Sequence, residues 1–339
     1  MARRFHKSRA QSERFVWDPS GMHNRNMTRQ CMRFLTLSAL IVTSAGILAA
    51  NPVDASSEPH IKTVWVIVME NQNWASIKGN KSAPYINQTL LPMASHAEQY
   101  FNPPKNHPSL PNYIWLEAGT NFRILNDDPP RADSQPSAQH LVTQLKNAPG
   151  GGISWRAYEE NISGKDCPLS NKYPYAVRHD PFVYFDDVTD HRNVNSAYCI
   201  EHIRPFGELA KNLASNSVAR YNFITPNVWD DMHDGRAPAY NQIAQGDDWL
   251  AKNLPQILNS KSYRDGGAIF ITWDEANVGD GPIGMIVPSP FAKGNGYSNF
   301  VHYDHGAMLR SVEEIFGVTP YLGNAANQSD LKDLFSAFP

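Results

Sequence analysis

Four short runs of this chain are apolar almost without interruption: residues 63–69 (TVWVIVM), 221–225 (YNFIT), 268–273 (AIFITW) and 284–287 (GMIV). Rich in β-branched and aromatic residues, they have the pattern of strands buried on both faces of a parallel sheet. Between them, residues 84–99, 110–117, 205–214, 240–259 and 305–316 read as helices. This alternation predicts an α/β fold, a three-layer αβα sandwich with a mostly parallel central sheet. No repeat or low-complexity linker interrupts residues 57–339, which read as a single domain. The stretch 123–203 has weaker periodicity and more Pro, Gly, Asp and aromatic residues, and is expected to form a loop-rich cap near the site.

The first 56 residues follow another pattern, in which a basic, polar start precedes an uncharged run from Phe34 to Ala50 and then the small-residue stretch Val53-Asp54-Ala55. That order is a signal peptide's, and it implies a secreted, extracellular or periplasmic, protein with no stable membrane insertion after cleavage. Met27 or Met32 would give the leader a more usual length. The alternative is an uncleaved anchor, which the Thr, Ser and Gly content of the run disfavours. With Cys31 in the leader, Cys167 and Cys199 are the remaining pair and are expected to form a disulfide, two buried thiols being the alternative. A net charge of -3 without long single-sign runs gives no surface for nucleic acid and fits a soluble substrate.

Ligands of open α/β sheets bind at the carboxyl ends of strands. Three predicted strands run directly into polar clusters there: Glu70-Asn71, the segment from Asn227 to Asp234 containing Asp231 and His233, and Asp274-Glu275. Oxygen and imidazole donors of this kind suit a divalent metal ion: Mg, Ca, Mn or Zn. Ser109 precedes a predicted helix, where its side chain would either cap free backbone amides or act as a nucleophile beside an anion-favouring helix terminus. Local chemistry leaves both roles open. No phosphate-binding glycine loop with its lysine and no G-x-S-x-G elbow is present, which argues against a nucleotide cofactor and against a carboxylester hydrolase.

Met69-Glu70-Asn71-Gln72-Asn73-Trp74, the segment from His107 to Tyr113, Thr225-Pro226-Asn227 through Asp234, Trp273-Asp274-Glu275 and Tyr303 through Glu314 occur in this order along the chain. Together they resemble the phosphoesterase family of acid phosphatases and bacterial phospholipases C, a branch of the alkaline phosphatase superfamily, over about residues 61–318. The resemblance implies a metal held by Glu70, Asn71, Ser109, Asp274 and Glu275, with Ser109 as nucleophile. Glu275 departs from the two aspartates common at the last pair. His233 and His305 would neutralise transition-state charge or protonate the leaving group, Asn71 would also touch phosphoryl oxygens, and His107 would act beside the nucleophile. His179 would face the pocket or hold its loop, and Asp231 and Asp234 would orient His233. Trp74, Tyr113, Trp155 and Tyr158 read as core or cap aromatics.

The implied activity is hydrolysis of a phosphate ester through a phosphoserine, with an acid phosphatase acting on monoesters favoured over a phospholipase C-type diesterase because no late lipid-binding module is visible. A secreted binding protein that has lost the chemistry is the rival of another class.

Overall fold

The computed structural model describes residues 60–339; the expected signal peptide, Cys31 and the alternative starts lie outside them. Ten strands occur in chain order: β1 (Thr63–Met69), β2 (Ser95–Ala97), β3 (Tyr100–Phe101), β4 (Trp155–Glu159), β5 (Ile203–Pro205), β6 (Tyr221–Thr225), β7 (Gly267–Trp273), β8 (Met285–Val287), β9 (Ser298–Asn299) and β10 (Tyr303–Asp304). Eight of them form one sheet in the order β5-β4-β6-β1-β7-β8-β2-β9, and β3 pairs with β10 apart from it. From β5 to β7 every pairing is parallel; β8 runs antiparallel to both β7 and β2.

β1 lies between β6 and β7, and all its residues are buried. A strand paired on both edges and covered on both faces has no water-facing side for a polar residue. Each Val or Ile side chain buried there contributes about 1.5–3 kcal/mol. That is why the run is uninterrupted in sequence. The helices Ser109–Ala118, Gln242–Leu258 and His305–Phe316 occupy three of the predicted helical stretches.

Two expectations differ from the structure. The helix read over 84–99 stops at Met93 after a π-helical turn (Ile86–Leu90), and Ser95–Ala97 leaves it to become β2 between β8 and β9. Sheet pairing there overrides helix propensity. The supposed cap over 123–203 contains β4, which pairs in parallel with β6 and is part of the central sheet. Trp155, Ala157 and Tyr158 are buried in the core, as are Trp74 and Tyr113.

Cys167, after β4, is joined to Cys199, in the short helix Ala197–His202 that leads into β5, by a disulfide with its Cα atoms 5.5 Å apart. Both cysteines are buried. Closing this loop restricts the unfolded chain and contributes about 2–4 kcal/mol.

Gly284, just before β8, has φ +82°, and a Cβ there would stand 2.2 Å from the Trp74 ring. Gly284→Ala is therefore expected to destabilise the fold by about 2–5 kcal/mol, from a left-handed conformation and a clash with a buried indole. Chemical denaturation of the two proteins measures this.

Candidate active site

The carboxyl ends of β1, β6 and β7 are tied together by their backbones. The Glu70 N–H donates to the Asp231 carbonyl at 2.7 Å and the Asp274 N–H to the Met69 carbonyl at 2.9 Å. Asn71, in a left-handed conformation at φ 49° that Asn tolerates better than most residues, donates its N–H to Asp274 Oδ1 at 3.0 Å. These links bring Glu70, Asp231 and Asp274 into one region, each with 0% exposure.

Ser109 begins the helix Ser109–Ala118, following Pro108 at the N-cap with no side-chain capping bond. Its hydroxyl instead donates to Glu70 Oε2 at 3.1 Å, and Asn71 Nδ2 donates to the same oxygen at 3.0 Å. The capping role open to Ser109 in the sequence is thus not the arrangement observed. The helix amides also differ from expectation as an anion receptor. The Leu110 N–H is already bound to Asp127 Oδ1 at 2.9 Å, and Pro111 has no N–H.

The buried carboxylates lack matching positive charge. Burial, followed by the charges of Asp274 and Asp231, pushes Glu70 well above the usual carboxylate range. Burial raises Asp274 to about 7, against stabilising backbone N–H groups of Asn71 and Glu275. Asp231 is also raised well above its ordinary value, chiefly by burial. Glu70 Oε1, Asp231 Oδ2 and Asp274 Oδ2 are buried without a hydrogen-bond partner. Such oxygens are costly unless a proton or cation meets them.

His179 joins this group. Its Nε2 is 3.2 Å from Glu70 Oε1 and its Nδ1 is 3.3 Å from Asp231 Oδ2, while its ring stacks on Tyr113 at 5.1 Å between centroids. Burial, then the neighbouring Arg178 and His233, holds the imidazole well below its usual pKa. His179, buried between Glu70 and Asp231, ties the turn that carries it to the ends of the strands.

The remaining expected residues divide between the site and its supports. Arg178 Nη2 donates to His233 Nε2 at 3.2 Å, and His233 Nδ1 lies 2.7 Å from Asp234 Oδ1. Asp234 therefore orients the ring, whereas Asp231 Oδ1 accepts the His233 backbone N–H at 2.7 Å.

His305 differs from its expected catalytic place. It is fully buried, with Nε2 donating to the Asp274 carbonyl at 2.6 Å and Nδ1 accepting from the Tyr100 hydroxyl at 3.1 Å. Burial lowers its pKa to about 4. With both nitrogens engaged it supports the backbone of Asp274 and has no proton free for a leaving group.

Glu275 also departs from the expected ligand set. Its Oε2 accepts from Asn112 Nδ2 at 3.0 Å and lies 2.6 Å from His107 Nδ1. Burial, then Asp274, raises Glu275 to about 9. The second nitrogen of His107 reaches Asp280 Oδ1 at 3.1 Å, so His107 bridges two carboxylates at the rim.

Among the described residues no three His, Cys, Asp or Glu side chains stand as a ready coordination cage. The acids converge, but they do not yet enclose a point. Arg178 and Asp127 were not singled out in the sequence, because neither follows a predicted strand nor opens a predicted helix; the adjacency of Arg178 to His179 was the one signal.

The helix that begins at Ser109 thus faces acids at the carboxyl ends of parallel strands, with the Ser109 hydroxyl bonded to Glu70. The fold is shared at TM-score 0.53 with phosphonate monoester hydrolase of Agrobacterium radiobacter, at 11% identity over 82% of this chain and 78% of that one. It is shared at TM-score 0.51 with an alkaline phosphatase superfamily protein from Vibrio parahaemolyticus, at 10% identity over 80% of this chain and 70% of that one. Residues 96–319 match the Phosphoesterase family, and the chain belongs to that family: it is a hydrolase of phosphoric esters.

Among curated relatives, it is 29% identical over 304 residues to phosphatidylinositol-3-phosphatase of Mycobacterium tuberculosis, covering 88% of this chain and 91% of that protein. It is 27% identical over 230 residues to the phosphate-repressible acid phosphatase of Penicillium chrysogenum, covering 64% of this chain but only 51% of the fungal protein.

Proposed function

We propose that residues 57–339 form one secreted, metal-dependent phosphatase domain that cleaves phosphomonoesters, with Ser109 as nucleophile. The observation that carries this reading is the hydrogen bond from Ser109 to Glu70, within a set of buried acids whose outer oxygens have no partner. Those oxygens, on Glu70, Asp231 and Asp274, with His179 Nε2 beside them, are the donor set a hard divalent cation takes. Glu70 and Asp274 would hold the ion together with Asn71 and Ser109, with the Asp231 and His179 side chains beside Glu70. Mg, Ca, Mn and Zn all fit this chemistry. Bound there, the ion would supply positive charge to the attacking and phosphoryl oxygens.

The protein's own groups then have separate tasks. Glu70, its Oε2 held by Asn71, accepts the Ser109 hydroxyl hydrogen bond and would take that proton as Oγ attacks phosphorus; the Ser109 Oγ–P bond forms as the bond from phosphorus to the alcohol oxygen breaks. His233, held through Nδ1 by Asp234 and accepting from Arg178 at Nε2, would give the departing alcohol its proton only once the guanidinium leaves Nε2 and that nitrogen takes up a proton from solvent; water later cleaves the phosphoserine. His107 orders the rim through Glu275 and Asp280.

The names of the mycobacterial and fungal relatives denote phosphatases, which favours monoesters over the phospholipase C-type diester alternative. Secretion accords with the disulfide and the leader-like sequence; among the described residues no helix is long and apolar enough to cross a membrane. The test is hydrolysis of a chromogenic monoester and a chromogenic diester by residues 56–339, with and without chelator. The expected result is monoester turnover that chelation abolishes and a divalent cation restores. Turnover indifferent to chelation removes the metal from the account, and no turnover of either ester with metals supplied brings the binding-protein rival forward.

A further inference from the structure

The positive charge nearest the buried acids belongs to Arg178, and its position defines a second half of the site. Arg178 lies in the 3₁₀ turn Val177–His179, which is pinned by His179 between Glu70 and Asp231. Its guanidinium reaches His233 Nε2 through Nη2 at 3.2 Å, and its Nε stands 3.6 Å from Asp127 Oδ2. The other oxygen of Asp127 holds the N–H of Leu110, the residue following Ser109. The guanidinium is therefore bracketed between the start of the Ser109 helix and the proposed proton donor.

This arginine is unusually underused. Its Nε is buried without a hydrogen bond, its side chain is 20% exposed, and its ion pair with the 35% exposed Asp127 is too long to be a hydrogen bond. A planar guanidinium with spare donors matches the spacing of two phosphoryl oxygens. A phosphate entering here also meets Glu70, Asp231 and Asp274, which repel it, and the Leu110 amide that would have received it is committed to Asp127.

We infer that Arg178 is a substrate-binding residue that grips two non-bridging oxygens of the phosphoryl group and gives the site its preference for dianionic monoesters over diesters. A monoester offers three non-bridging oxygens and two negative charges. A diester offers two such oxygens and one charge, so it gains less from the same cation. The inference rests on the phosphatase reading for its catalytic consequence, but binding of phosphate itself does not require turnover.

The experiment compares wild type with Arg178→Ala, Arg178→Gln and Arg178→Lys, each loaded with divalent metal and checked for folding by thermal melting. It measures kcat/KM for a chromogenic monoester and diester, and binding of inorganic phosphate by calorimetry. Arg178→Ala and Arg178→Gln should lose about 10²–10³-fold on the monoester. On the diester the loss should be no more than about tenfold, and phosphate binding should weaken at least about tenfold. Arg178→Lys should recover only part of the loss, because a point charge cannot reproduce the fork. Equal losses on both esters, or phosphate bound as tightly by a folded variant as by wild type, would overturn the inference. So would a wild type that binds no phosphate. Where wild type cleaves neither ester, the enzymatic reading fails and phosphate binding alone decides on Arg178.

Discussion

Ser109→Ala is expected to lower monoester turnover by about a thousandfold or more while leaving the fold intact. Removing a nucleophile takes away the covalent route, and residual rate then comes only from binding and charge stabilisation. The stability cost should be about 1 kcal/mol or less, because only one hydroxyl hydrogen bond is lost and Glu70 Oε2 keeps its bond from Asn71. Steady-state kinetics with a thermal melt of the same sample separates the two effects. A variant that keeps most of its activity would mean that water or another side chain attacks, and the Ser109–Glu70 contact would then be structural.

The second large effect concerns metal removal and pH. In chelated protein Asp274 has a pKa raised by burial to about 7 from an ordinary 3.8, so between these values the folded state binds more protons than the unfolded state. Stability therefore falls as pH rises through that window. Glu70 and Asp231, raised in the same direction, add to the fall. A divalent cation should reverse it. At a hundredfold excess over its dissociation constant the gain is about 2.7 kcal/mol, or on the order of 5 °C in melting temperature at this size. Glu70→Gln should remove most of that gain and stabilise the chelated protein, since it deletes a buried charge and keeps the shape. Melting curves from pH 4 to about 8, with chelator and with cation, read both effects. Cation-independent curves would exclude Glu70 and Asp274 as ligands.

What could be read from the sequence was whatever burial writes into it continuously. β1, β6 and β7 are covered on both faces, so their apolar runs located them to within a residue, and the polar residues immediately beyond them marked Glu70, Asn71 and Asp274. β2 and β4 were missed because each is short and mixed in character, and pairing to neighbours distant in sequence decides its conformation. The same reason hid Arg178 and Asp127, whose relation to Ser109 exists only after the turn Val177–His179 and the loop before Pro130 have folded against the helix. For His305 and Glu275 the chain position was legible but the direction of the side chain was not. His305 turns inward to the Asp274 carbonyl, and Glu275 bonds Asn112 and approaches His107.

The central claim is that phosphorus passes through a covalent bond to Ser109. The most direct measurement is to mix metal-loaded protein with a chromogenic monoester, quench in acid within the first turnovers, and locate any added phosphoryl group by peptide mass spectrometry. The account predicts one phosphoryl group on the peptide containing Ser109, absent from Ser109→Ala and lost on longer incubation before the quench. A protein that turns over the ester while every quenched sample carries unmodified Ser109, or carries the label on another residue, would contradict it.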